Sequence, residues 1–184
     1  MRNLLPTFLI LFTFFSSIQA LYSQITEYKI KAAYLFNFAK FVEWPQNSFA
    51  DPSEPIKIGI IGKDPFLESL TQTVFGKTVK GRKLVIQRFK KIQELDFCHI
   101  LFISSSERRR VSQIIQKVKG SSTLTVGEFN NFIDSGGIIR LLNKDNKVRF
   151  EIGLLAAQQA DLIISSRVLR LAENQEALQT NGNN

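Results

Sequence analysis

The order of apolar segments predicts an α/β fold: a single compact domain with a mixed, mostly parallel sheet, helices on both faces and a C-terminal β-hairpin. Three observations carry this prediction. Short apolar runs bounded by turn residues, IKIGIIG at 56–62 and CHILFIS at 98–104, read as buried strands. Segments with helical spacing follow each of them. Near the end, Gly136-Gly137 introduces two alternating runs, 138–142 and 147–152, which read as a hairpin.

The first element is the long stretch 27–43, where Ile30, Tyr34, Leu35, Phe38, Phe41 and Val42 share one helical face. Trp44 precedes Pro45 and is pushed out of the α region, so the helix is expected to stop at about Glu43. Phe36 falls in the polar arc. It therefore needs cover from a later loop or from a partner, and it is a candidate contact residue.

After the 56–62 strand, Asp64 and Pro65 open a helix with Phe66, Leu67, Leu70 and Val74 facing inward. The Gly62-Lys63-Asp64-Pro65 turn can hold an anion, but it lacks the full phosphate-loop and dinucleotide patterns. Residues 83–89 form the next strand and 98–104 the most apolar one, suited to the centre of the sheet. Ser104 and Glu107 have capping-box spacing, ahead of a helix burying Val111, Ile114, Ile115 and Val118. Arg108, Arg109 and Arg110 crowd its first turn, either as a solvated face or as a dock for an acidic partner. Residues 123–126 are a short strand. Beyond the hairpin come a helix at 153–160, an extended piece at 162–164 and a last helix at 167–173 anchored by Val168, Leu169 and Leu171.

Met1, Arg2, an apolar run and then small residues up to Ala20 read as a signal peptide over 1–20, too short to span a bilayer as a helix. The domain then covers 27–174 and a flexible tail 175–184. The formal charge is +8 and the basic residues are scattered, which suits a solvated surface; an exported chain meets little nucleic acid.

Catalytic material is scarce. The chain has one histidine and one cysteine, and these neighbours, Cys98 and His99, point to opposite faces of one strand. No nucleophile elbow accompanies His99, and a zinc site of ordinary ligands would need more histidine and cysteine. No enzyme activity, metal or cofactor is expected. The most suggestive polar place is the hairpin. With a four-residue loop at 143–146, Arg140 faces Arg149 and Ile138 faces Glu151, while Val148, Phe150 and Ile152 enter the core. The resulting Arg140, Arg149, Glu151 cluster is either a solvated outer face or a recognition patch.

KAAYLFNFAKFVEWP, IKIGIIGKDPF, CHILFIS, GGIIRLL, VRFEI and ISSRVLRLA occur in an order and spacing that resemble the YfiR/HmsC family across 27–174. The resemblance implies a small periplasmic protein that dimerises and represses a membrane-bound diguanylate cyclase by binding its periplasmic sensor domain. It also implies an outer-membrane lipoprotein that sequesters the repressor, so that the protein lowers cyclic-di-GMP and biofilm formation. By resemblance the partner-binding surface takes in Glu151, Ile139, Ala157 and Gln175. The disulfides of some members have no counterpart, because the strand facing Cys98 reads Ile58-Gly59-Ile60. The competing reading is an exported small-ligand sensor signalling to another membrane protein.

Overall fold

Helix α1 runs over residues 24–41 in the computed structural model, which describes residues 24–175 of the 184-residue chain. The expected signal peptide at 1–20 and all of the expected 175–184 tail except Gln175 lie outside the described residues. Ala32, Leu35, Phe38 and Ala39 of α1 are buried on the sheet. Ile30, expected on that face, is 43% exposed, and Lys31 is buried at 4%. The core stripe runs through two alanines, which let the helix lie close to the sheet. Leu35, Phe38 and Val42 are buried as expected, while Tyr34 and Phe41 are half-buried, so the stripe is centred toward the alanines.

The helix ends two residues earlier than expected. Val42–Glu43 (β1) leaves it to pair antiparallel with Ile163–Ile164 (β9), so the proline rule is met by an extended segment and not by a helix end at Glu43.

The main sheet has seven strands: Ile56–Ile61 (β2), Thr78–Val79 (β3), Arg82–Phe89 (β4), Ile100–Ile103 (β5), Leu124–Gly127 (β6), Ile139–Lys144 (β7) and Lys147–Ile152 (β8). Their order is β3-β4-β2-β5-β6-β7-β8, which places the fully buried ILFI strand β5 in the middle, as expected. β4, β2, β5, β6 and β7 are mutually parallel, while β3 and β8 are antiparallel edges. Counted in chain order the parallel strands run 2-1-3-4-5, a doubly wound arrangement that reverses direction between β2 and β5.

Helices cover both faces. Helix α1, Ser69–Val74 (α2), Leu154–Gln159 (α4) and Ser166–Leu169 (α5) pack on the larger core, and Val111–Val118 (α3) packs on the smaller one with Phe132, Ile61 and Leu101. Of the glycine pair ahead of β7, Gly136 is set by its φ of 91° and Gly137 by Phe132. A Cβ added at Gly137 would stand 2.2 Å from the Phe132 ring, so only glycine admits this fully buried aromatic.

Several local expectations fail for identifiable reasons. Asp64 accepts the Phe66 N–H at 2.8 Å in a tight turn, and α2 starts only at Ser69; Leu67 has φ 52° and is 70% exposed. Ser104 caps a 3₁₀ turn, Ser105–Arg110, by accepting the Ser106 N–H. Glu107 turns to Arg110 at 2.6 Å, so the capping box does not form. Leu171, expected as an anchor, is 68% exposed because α5 ends at Leu169.

Candidate functional site

The hairpin is tighter than its composition suggests. Asp145 and Asn146 both have positive φ, 51° and 57°, so a two-residue turn joins β7 to β8 and the strands run through Lys144 and Lys147. Arg140 then lies opposite Glu151, and Leu142 opposite Arg149. The expected pairing of Arg140 with Arg149 is corrected by this register. The slip moves partners by two residues, so Arg140, Arg149 and Glu151 stay on their expected face while a like-charge opposition becomes an ion pair; Ile138, expected opposite Glu151, is instead buried ahead of β7.

Arg140 Nε donates to Glu151 Oε2 at 2.8 Å and its Nη1 to Asn130 Oδ1 at 3.1 Å. Arg149 pairs with Glu173 at 3.5 Å, and Lys144 reaches the same carboxylate at 2.6 Å. Lys144's hydrogen bond and charge hold the Glu173 carboxyl below its ordinary range. The expected three-residue cluster is therefore two ion pairs on one face. Behind Glu173 the chain seals the β8 edge. Glu173 N–H donates to Phe150 O, and the Asn174 amide both donates to Ile152 O and accepts from Ile152 N–H.

Ile139 and Ala157, by contrast, are fully buried in the larger core. Their side chains support this face from beneath and present nothing outward. Gln175 is half-buried at the end of the described residues, one residue beyond the Asn174 seal. Phe36 is half-buried against the larger core and carries the Lys77 ammonium 4.7 Å above its ring, with Lys40 at 5.7 Å. The chain's own lysines cover it, and no ion pair or ring contact among the described residues joins it to the hairpin cluster.

Asn130 links the hairpin to a basin lined by Arg108, Arg109, Ser112, Asn131 and Ser135. Arg110 is held by Glu107, whereas Arg108 and Arg109 have no acidic partner among the described residues. Glu128 also lines the basin, so hairpin and basin together make a polar face on which Arg108 and Arg109 form no ion pair among the described residues.

The crevice outside the carboxyl ends of β2 and β5 is where doubly wound folds take small ligands. Here the chain fills it. Tyr28 and Lys31 of α1 reach Glu128, just past β6: Lys31 Nζ at 2.6 Å, the Tyr28 hydroxyl at 3.0 Å, with Ser105 Oγ at 3.2 Å. Glu27 also pairs with Lys31. Lys31 and Glu128 retain 5% and 7% side-chain exposure. Burial, followed by the Glu128 charge, pushes the Tyr28 phenol up. Tyr28 packs edge-on to Phe66 on the far side. No signal in the sequence joins Lys31 to a glutamate 97 positions away, so this network was not legible there.

His99 is committed to structure. Its Nδ1 accepts the Lys57 N–H at 3.1 Å and its Nε2 donates to Ser48 O at 3.2 Å, while Phe49 stacks on the ring at 4.3 Å. Burial drives its pKa down to about 4, so the ring is neutral. Cys98 is buried in the other core, its thiol pushed up to about 12 by burial. No group of three or more histidine, cysteine or carboxylate side chains placed to hold a metal occurs among the described residues.

Fold and site together define a doubly wound α/β domain with a self-occupied switch point and a polar hairpin face. The chain belongs to the YfiR/HmsC-like family, whose model matches residues 28–173. Members of this family are periplasmic regulators in cyclic-di-GMP signalling, not catalysts. No helix among the described residues is long and apolar enough to cross a membrane.

Among solved structures, the chain is similar to a conserved domain protein from Vibrio cholerae, with 14% identity and a TM-score of 0.50. That match covers 64% of this chain and 54% of the other, about half its length, and shows the fold alone. An ABC domain from Streptococcus pneumonia in complex with L-Trp matches at 11% identity and a TM-score of 0.46, covering 64% of this chain and 54% of that one. No curated protein matches the chain.

Proposed function

We propose that this protein is a non-catalytic periplasmic repressor of a membrane diguanylate cyclase, acting by binding the cyclase's periplasmic domain. The segment 1–20 directs export, and the mature protein lowers cyclic-di-GMP and biofilm formation. The single observation that carries the reading is the outward Arg140–Glu151 pair, joined by Asn130 to the basin that Arg108 and Arg109 line. This is the polar face a protein partner with its own charges would use. Family membership supplies the signalling system.

The self-filled crevice argues for a protein partner over a small ligand. Lys31, Tyr28 and Glu128 already satisfy one another where a metabolite would sit. A homodimer, and sequestration by an outer-membrane lipoprotein, complete the proposed scheme by resemblance to the family.

The test is capture of detergent-solubilised membrane diguanylate cyclases on the immobilised mature protein, together with cyclic-di-GMP levels in a deletion strain. Specific capture and a raised level are expected. A deletion strain with unchanged cyclic-di-GMP and no cyclase retained would overturn the reading.

A further inference from the structure

The opposite edge of the sheet is open. β3 covers only Arg82 and Lys83 of β4, and β4 then continues from Leu84 to Phe89 with no strand on that side among the described residues. Phe89 O accepts the Gly62 N–H, so its backbone faces β2. Two-residue alternation then turns the N–H and C=O groups of Ile86 and Arg88 toward the open side.

A groove runs along this edge between α2 and β4, lined by Val74, Phe75, Leu84 and Ile86 and flanked by Lys77 and Lys83. Phe75 is 83% exposed at its rim, the most exposed large apolar side chain among the described residues. Unpaired strand backbone, an apolar floor and an exposed aromatic are the parts from which strand addition is built.

Charge decides the occupant. Lys77, Lys80, Lys83 and Lys90 stand along this edge; of the carboxylates beside it, Asp64 is taken by Arg88 at 2.7 Å and Glu94 accepts the Lys90 N–H at 3.0 Å. Lys80 reaches only the exposed Glu43, at 3.7 Å. A second copy brought edge to edge would set these cations against their equivalents, so charge opposes self-pairing. We infer that the β4 edge accepts an extended segment of another protein in which apolar and acidic residues alternate. It adds as a strand beside Leu84 to Phe89, with its apolar side chains in the groove and its carboxylates on Lys77 and Lys83. The inference stands apart from the hairpin face and does not rest on the repressor reading.

The probe is a fluorescent octapeptide alternating glutamate and valine, with a lysine–valine octapeptide as control, added to the purified mature protein. The acidic peptide binds, weakens at least tenfold between 0.05 and 0.5 M NaCl, and slows amide exchange at Ile86 and Arg88 at least tenfold. The control does not bind. Lys77→Glu with Lys83→Glu loses at least tenfold in affinity. Ile86→Pro, which removes an outward N–H and leaves the β2 ladder intact, abolishes exchange protection at Arg88. No binding of the acidic peptide, equal binding of the control, protection confined to other strands, or concentration-dependent self-association through β4 would each overturn the proposal.

Discussion

Arg140 and Glu151 stand directly opposite each other on β7 and β8, Nε to Oε2 2.8 Å, with their side chains 20% and 26% exposed. A pair this close to solvent contributes about 1 kcal/mol or less to folding. Glu151→Ala is therefore expected to lower stability by no more than about 1 kcal/mol, measured by urea unfolding. A loss of about 3 kcal/mol would make the pair a structural element and not a free recognition group.

Lys31 and Glu128 show the opposite balance. Both are buried, so removing Lys31 strands the Glu128 carboxylate in the crevice, at a typical cost of about 3 to 5 kcal/mol, whereas Lys31 keeps Glu27 when Glu128 is removed. Lys31→Met should lose stability on that scale, and the double change of Lys31→Met with Glu128→Leu should recover much of it. Equal instability of single and double variants would show that the cost comes from something other than a stranded charge.

His99 sets an acid limit. Its imidazole is held at about 4 against an ordinary 6.5, chiefly by burial, so between these values the unfolded chain binds a proton that the folded one excludes. Stability from this group is complete above pH 6.5 and is lost as pH falls toward 4, roughly 3 kcal/mol in all. The Asp51 and Glu54 carboxyls, held low by hydrogen bonds from Ser53 and Lys57, act below their ordinary 3.8 and 4.5. Melting temperature should fall steadily from pH 6.5 to 4.5. A flat profile over that range would mean that the histidine is charged or solvated in the folded state.

Gly59 offers a direct check on strand packing. A Cβ built there lies 2.8 Å from Cys98 Sγ, close to the spacing across a disulfide. Gly59→Cys is expected to lose its free thiols on oxidation and to melt higher oxidised than reduced. The natural chain has Cys98 alone and buried, so its melting temperature should not respond to reductant. Two titratable thiols in oxidised Gly59→Cys would contradict the register of β2 against β5.

Much of the fold could be read from local pattern. The apolar strands, the doubly covered sheet and the hairpin face follow from alternation and helical period. What escaped depends on long-range closure. The two-residue strands β1, β3 and β9 are too short to carry a period, and each exists only because a partner passes by. The hairpin register turned on whether Asp145-Asn146 or the longer Asn143 to Asn146 closed the turn, and both sequences suit a turn. Of the site residues, Arg140, Arg149 and Glu151 lie on the face that alternation predicts, whereas Ile139 and Ala157, named by resemblance, are fully buried in the core beneath it.

The most direct test of the central claim is the affinity of the mature protein, natural and Glu151→Ala, for the purified periplasmic domain of the cyclase it captures. Loss of a charged group at a desolvated contact costs about 2 kcal/mol or more, so binding should weaken at least 30-fold while the melting temperature changes little. Cyclic-di-GMP in a strain carrying the variant at native expression should rise to the deletion level. Unchanged affinity together with normal repression would contradict the account and return the Arg140–Glu151 face to solvent.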